Sequence, residues 1–487
     1  MNERELDLLI ESTVSDEPPE DIVRDVTPWR RATTRILVGL ALSTITLQFL
    51  LLQYILPTVG AILLVLGFRA LRRENLWFRA AWYISAIGAV YQIAMLAACA
   101  TIYSQSVSAL VEQTALQPII LALGFARLVC LRQGLAAVQK KSGMEPHVGA
   151  GTALLVLYAV MLPLGLVNYS GWLVVLALLA LYVFIIRLLF KLSAELDEAG
   201  YCVQPSPVRL SDTGVVCVLL GALLLGLTAA QIFASSYPMY WQKTESAAEA
   251  ETEEIKAQLT ALGFPEDILD DLTDSDILEC GGALYVDVQQ SVVYANDGLD
   301  GNDICATAVI VLLNAEPETW KVFHHFRWEE SPGFRGTESV QVRPTSIYDI
   351  DWELGESFGG QALCDMDGDV YTSPFYSLGE NTYSYTNFFG KQSEYTDITA
   401  DFSLPNKAEN QRVYVSYTVK EKIPPTGEAT EETYITSNLF YTHQLRRLQY
   451  PVYTAHEERQ TGLWLRSNGA FTTIEAINQF IVPSQTD

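Results

Sequence analysis

Between residues 36 and 235 the chain alternates apolar stretches with short basic connectors, and that repetition limits its fold more than any other feature. The stretches fall at 36–53, 54–68, 80–102, 109–131, 151–168, 171–190 and 214–235. About 20 apolar residues in a helix cross the roughly 30 Å hydrocarbon core of a bilayer, so about seven transmembrane helices are expected. The first two stretches are short, with only Tyr54 and Pro57 to mark a turn. Charge decides how they are read. Arg30, Arg31 and Arg35 precede the pair, while Arg69, Arg72, Arg73 and Arg79 follow it. Basic residues favour the cytoplasmic side, which makes the pair a hairpin. Arg127, Arg132, Lys140 and Lys141, then Arg187, Lys191 and Arg209, continue the pattern, and the intervening connectors carry no Lys or Arg. An odd number of crossings from a cytoplasmic N-terminus places residue 236 onward outside. Glu3, Glu5, Asp7 and Glu11 stand where a cleaved signal would be basic, so the first span is expected to remain. Trp77, Trp82, Trp172 and Trp241 fall near span ends, as headgroup-level anchors do.

Only 18% of residues are charged, and the formal net charge is −26. Residues 1–235 carry 16 basic and 16 acidic side chains, and residues 236–487 carry 15 and 41, so the whole imbalance lies in the second part. Acidic surface repels a phosphate backbone, which argues against nucleic-acid binding. The seven cysteines form no C-x-x-C pair and no dense framework. Cys280, Cys305 and Cys364 in the outer part permit at most one internal disulfide.

Transporters and channels place ionisable groups at mid-membrane. With the boundaries above, Arg127 and Arg187 lie near cytoplasmic ends and no charge remains at the centre of a span. Gln48, Gln92, Gln117 and Gln231 read as interhelical hydrogen-bonding groups, and Pro57, Pro118 and Pro163 as tolerated kinks. Residues 1–35 form an acidic cytoplasmic tail too small for a core. One amphipathic turn with Leu6, Leu9 and Ile10 on a single side is its candidate docking point for a cytoplasmic protein.

Residues 236–280 read as an acidic helical stalk. Ile255, Leu259 and Leu262 share a face, and Gly263 with Pro265 stops the helix. Thr273 is placed to cap a further turn with Asp276 at the reciprocal position. The alternation of acids and aliphatics at 267–279 is read as a solvated face over a small core in preference to a cation site. From residue 281 the period becomes two. Strands are expected around 284–288, 308–313, 321–328, 338–342, 412–419 and 433–441, with turn-rich segments between them and a short closing helix at 474–480. Together they predict a mainly β, sandwich-like extracytoplasmic domain over 281–487.

Asp365-Met-Asp-Gly-Asp369 resembles the opening of a calcium loop, but Val370 and Tyr376 stand where an EF-hand requires Gly and Glu, so a hairpin turn is the better reading. His324 and His325 are adjacent in a strand and face opposite ways, which prevents joint chelation. No nucleophile elbow, Walker A, zinc-protease or kinase signature is present in the sequence. No catalytic residue, metal ligand or cofactor is therefore assigned. The Tyr-rich stretch 371–395 is the best binding surface, with Tyr376, Tyr383 and Tyr385 as its candidates. Such aromatics suit stacking on an envelope glycan or pairing with a protein, while sheet core is the commoner reading of such a stretch.

Residues 25–31 (Asp-Val-Thr-Pro-Trp-Arg-Arg), 66–75 (Leu-Gly-Phe-Arg-Ala-Leu-Arg-Arg-Glu-Asn), 262–266 (Leu-Gly-Phe-Pro-Glu), 322–326 (Val-Phe-His-His-Phe) and 441–444 (Tyr-Thr-His-Gln) resemble segments of a group of uncharacterised multipass membrane proteins of Gram-positive bacteria. The resemblance implies a cytoplasmic-membrane location and the architecture above, and transfers no catalytic residue. A non-enzymatic membrane protein that senses or binds an envelope ligand is the leading expectation. A transport or export component and an envelope hydrolase are the alternatives.

Overall fold

The computed structural model describes residues 28–44, 51–114, 116–166, 171–203, 209–244, 250–293, 304–331, 336–344, 352–386, 392–405, 408–421, 434–461 and 469–481. The chain divides into two units, Met1–Cys99 with Tyr103–Gln231, and Ile232–Asp487 with Ala100–Ile102.

The first unit is helical: α1 (Pro28–Thr44), α2 (Leu52–Leu71), α3 (Leu76–Ala98), α4 (Ser104–Gln113), α5 (Leu116–Lys141), α6 (Gly149–Leu166), α7 (Trp172–Glu198) and α8 (Asp212–Phe233). Five of these, α2, α3, α5, α7 and α8, are long and apolar enough to cross a membrane, fewer than the seven expected. Helices α1 and α6 are shorter, at 17 and 18 residues. Large apolar side chains on α7 and α8, among them Leu173, Phe184, Leu225 and Phe233, are exposed. Water would penalise so much contiguous apolar surface, whereas lipid does not. The chain is a membrane protein.

Three boundaries differ from the sequence reading. The first hairpin breaks between Thr44 and Leu52, and Tyr54 and Pro57 lie inside α2. Pro28 opens α1, where its missing N–H costs nothing, so Trp29 is drawn out of the expected tail into the helical core and donates its indole N–H to the Ser193 carbonyl at 3.1 Å. The expected span 109–131 is two helices: α4 ends at Gln113, while α5 starts at Leu116 and runs to Lys141. Pro118 is in the first turn of α5, which is how a proline marks a start and not a kink.

Small residues set the α1–α2 contact. A Cβ on Gly60 would lie 2.7 Å from the Gly39 carbonyl oxygen, so only glycine allows this approach. Where α1, α2 and α8 carry their polar ends, Asp212 accepts Arg35 at 2.6 Å and Arg69 at 3.4 Å.

The second unit holds two antiparallel sheets. In the larger, β1 (Gln242–Lys243), β7 (Asp369–Ser373), β6 (Trp352–Met366), β10 (Glu409–Glu421), β4 (Glu318–Trp328), β3 (Ile304–Ala315) and β2 (Tyr285–Val293) are neighbours in that order. The smaller runs β12 (Phe471–Ile481), β11 (Tyr434–Gln444), β5 (Glu338–Arg343), β9 (Gln392–Phe402) and β8 (Ser377–Thr386). Their facing sides share one core, in which Ile310, Val322, Phe326, Val415 and Tyr417 meet Val340, Ile398, Phe402, Leu439 and Phe480. This is the sandwich packing that period-two strands favour. Gln289 of β2 donates to the Gln479 carbonyl of β12 at 2.7 Å across the sandwich edge.

The outer face of the larger sheet is also covered. Helices α9 (Ala250–Ala261), α10 (Glu266–Leu269) and α11 (Asp274–Glu279) lay Leu259, Phe264, Ile268, Leu269 and Ile277 on Val309, Val311, Phe323, Leu363 and Tyr414. The segment read as a stalk thus supplies a third layer. A further helix, α12 (Ala455–Thr461), lies against β5 and β11. Residues 474–480, expected as a helix, belong to β12, which pairs with β11 along its length. Ile474, Ala476, Asn478 and Phe480 alternate inward, and Ala and Asn among them weaken the period-two signal.

Candidate functional site

Tyr376, the first of the three predicted binding residues, sits between β7 and β8. Its ring is 42% exposed, unusual for an aromatic held in place, and stacks on Tyr237 with centroids 4.6 Å apart. Tyr237 is buried with Ile102 and Val452, and its amide donates to Ser403 Oγ at 2.9 Å. The Tyr376 amide donates to the Asp401 carbonyl at 2.8 Å. The exposed ring therefore rests on an anchored one. Tyr383 and Tyr385 lie on β8 opposite Tyr395 and Ser393, but their side chains fall outside the described residues. Leu6, Leu9 and Ile10, and Phe388 and Phe389, lie outside them as well.

Several buried acids of this unit are committed to internal partners. Thr273 caps α11 as expected, its hydroxyl accepting from the Asp276 amide. The Asp276 carboxylate is not solvated. It accepts from Lys321 Nζ at 2.7 Å, Tyr414 OH at 2.7 Å and Ser416 Oγ at 2.7 Å, and Glu279 holds the same ammonium at 2.6 Å. Burial opposes the charge on Asp276, but Lys321 and the two hydroxyls outweigh it and hold its pKa below the usual carboxylate value. Burial likewise works against the Lys321 ammonium, and Asp276 overcomes it to raise that pKa. Asp271 accepts from Arg412 Nε at 2.7 Å and meets His325 Nε2 at 2.8 Å.

Between the sheets, Glu338 pairs with His443 Nδ1 at 2.8 Å and accepts from Tyr441 OH at 2.8 Å. Beneath α12, Asp397 holds Arg343 Nε at 2.9 Å, and Asp401 holds Ser339 Oγ at 2.8 Å and His456 Nδ1 at 3.1 Å. These pairs tie β5 to β9 and β11 within the smaller sheet, and His456 ties α12 to it. Among the described residues no group of three or more His, Cys, Asp or Glu could hold a metal ion.

The calcium-like segment is a hairpin. Asp367 and Gly368, with φ of 53° and 85°, form a two-residue connection between Met366 and Asp369, as such turns require. Asp365 and Asp369 face Arg412 Nη1 at 2.8 Å and Lys243 Nζ at 2.6 Å. His324 and His325 point to opposite faces as alternation demands. His324 Nε2 meets Ser437 Oγ at 2.6 Å inside the sandwich, and burial depresses its pKa to about 4. Cys280, Cys305 and Cys364 are joined by no disulfide. Burial pushes the Cys280 thiol up to about 12, which makes it unreactive.

The helical unit holds a group that the sequence reading misplaced. Arg127 is the twelfth residue of the 26-residue α5, not a residue near a span end. Gly88 of α3 faces it: a Cβ there would meet only Arg127 Nη1, at 3.9 Å. Its electrostatic neighbours are the phenols of Tyr158 and Tyr182. Tyr182 OH donates to Thr44 Oγ1 at 3.2 Å, and Thr44 also meets Tyr158 OH. Gly88 and Thr44 each lie nine residues beyond a basic residue, Arg79 and Arg35, or about 13 Å along a helix axis. That is close to half of a roughly 30 Å hydrocarbon core. The guanidinium thus lies near the middle of a helix long and apolar enough to cross a membrane, where the sequence reading set it near a span end.

Compared with known proteins, the chain matches no family model and has no significant match among curated proteins. The two units therefore define its class, a membrane protein with a helical part and an antiparallel β domain.

Proposed function

We propose that this is a non-enzymatic integral membrane protein whose β domain binds or senses a cell-envelope ligand, a glycan or a protein. In this reading about seven helical segments, including the shorter α1 and α6, traverse the cytoplasmic membrane from an inner N-terminus, and the β domain lies outside. The segregation of Lys and Arg supports that orientation. Reporter fusions after Ala150, Lys191 and Gln242 should read inside, inside and outside; an inside signal at Gln242 overturns it. The observation that carries the binding reading is the Tyr237–Tyr376 stack, because an exposed ring on a rigid base presents a flat apolar face at little entropic cost. Retention of the detergent-purified full chain on purified envelope material tests it. Tyr376→Ala should weaken retention roughly tenfold while leaving the fold intact. Equal retention would sink it. The commitment of Asp271, Asp276, Glu338 and Asp397 to internal partners weighs against the hydrolase alternative. The transport alternative gains one specific support, the position of Arg127.

A further inference from the structure

We infer that Arg127, with the phenols of Tyr158 and Tyr182 in its neighbourhood, both of them joined to Thr44, forms a binding site for a small inorganic anion of the chloride class inside the helical unit. A guanidinium cannot lose its proton to escape an apolar setting, so this half-buried one, with its Nε sealed among apolar helices, calls for a counter-charge. Arg127 finds none in its own unit. Among the described residues it makes no ion pair and donates no hydrogen bond, and its Nε is sealed from solvent with no acceptor.

The sequence extends this statement beyond the described residues. Every Asp or Glu between residues 36 and 235 belongs to a helix end or a connector. Two of them are already occupied: Glu74 pairs with Lys141 at 3.0 Å, and Asp212 pairs with Arg35 and Arg69. The nearest acid on α7, Glu195, lies 13 residues past Tyr182, about 20 Å along the helix. A second copy of the chain has no acid at that depth either. No described acid of the helical unit supplies the missing charge, and an external anion can.

The neighbours set the chemistry. A guanidinium only donates, so Arg127 is matched to an acceptor; the Thr44 proton is held by the Leu40 carbonyl, and the two phenols, which now point to Thr44, can turn to donate to the same acceptor. One positive charge favours a single negative one. A depth of about 13 Å from the basic residues disfavours a phospholipid headgroup, which would drag its own charge far below the interface. Gly88 leaves open the space next to Nη1 that any larger residue would fill. The inference bears on the transport alternative without depending on it, since a bound anion can be a fixed counterion as well as cargo.

Thermal unfolding of the detergent-purified full chain, titrated with chloride at constant ionic strength against gluconate, tests the site. Wild type should show a saturable rise in melting temperature, shared by bromide and nitrate. Arg127→Gln should abolish it. Arg127→Lys should keep it with half-saturation shifted roughly tenfold upward, because an ammonium lacks the planar fork. Tyr158→Phe and Tyr182→Phe should each shift it several-fold, which keeps the test decisive if the Gln variant does not fold. A flat wild-type response overturns the inference. So does an unchanged response in Arg127→Gln, and so does stabilisation by phosphatidylglycerol without any by halide, which would assign a lipid headgroup. Halide flux through proteoliposomes separately decides the transport alternative, and its absence leaves the binding result standing.

Discussion

Lys321, fully buried, and Arg127, half-buried with its Nε sealed, are cations held in the interior of one unit each, and they are treated in opposite ways. Lys321 lies on β4 under α11, where Asp276 and Glu279 meet its ammonium at 2.7 and 2.6 Å. Arg127 lies on α5 among hydroxyls, with no carboxylate in its layer of the bundle. In the β domain Asp271 and Asp276 pair with cations of the larger sheet, so these buried charges hold the helical layer to it. The helical unit keeps its acids at helix ends and connectors, and among its described residues Arg127 meets none of them. A buried charge with its partner belongs to the architecture, and one without marks a site.

The sharpest way to break this comparison is to remove both cations. Lys321→Met should destabilise the β domain by roughly 3 to 5 kcal/mol, because Asp276 is left buried and unpaired. Adding Asp276→Leu should recover much of the loss. Arg127→Met should not destabilise the helical unit in gluconate, where the lone charge is a cost. Hydrogen exchange at the β10 amides, with thermal unfolding of the intact chain, checks both. A large loss on Arg127→Met would show that the two cations are alike.

Next in size is a pH effect confined to the β domain. His324 has a folded pKa near 4 against an ordinary 6.5, so the unfolded chain takes up the proton first as pH falls. Stability is therefore complete above about pH 6.5 and falls between 6.5 and 4, by roughly 3 kcal/mol at the lower end. His456 works the other way. Its hydrogen bond to Asp401 raises its pKa, so its contribution is present below the ordinary value and lost as pH rises through the folded one. Stability profiles of wild type and His324→Asn should converge on acidification, and parallel profiles would contradict the assignment.

Smaller still is the cap. Thr273→Ala should cost about 1 kcal/mol, read as faster exchange in α11 alone. Tyr376→Ala should cost least, within about 0.5 kcal/mol, because its ring is partly exposed. A larger loss would make that ring part of the core and remove the aromatic platform from the binding argument.

What the sequence made legible follows from the range of each interaction. Strands β3, β4, β10 and β11 announce themselves by β-branched and aromatic residues at period two, and the His324/His325 alternation follows from the same rule. Strand β6 does not, because Gly355, Gly359 and Gly360 interrupt it. They are there for close approach: a Cβ on Gly360 would lie 2.2 Å from the Tyr414 carbonyl oxygen on β10. The cap at Thr273 was readable across three residues. The network that Asp276 enters was not, since Tyr414 and Ser416 arrive about 140 residues later. Arg127 was misplaced for a local reason: apolar Leu110 and Val111 make α4 and α5 look continuous, and sliding the span back to 109 moves its centre away from the arginine.

The central position of β10, flanked by β6 and β4, also governs how the chain is made. The α9 to α11 layer leaves the ribosome first, yet Arg412, Tyr414 and Ser416, on which it closes, follow well over 100 residues later. Until β10 is delivered, the larger sheet lacks its middle strand, and β4 and β6 each show an unpaired edge. The nascent domain therefore passes a long interval with sticky edges and bare acids, and a chaperone that shields strands should matter more to its yield than one that shields helices.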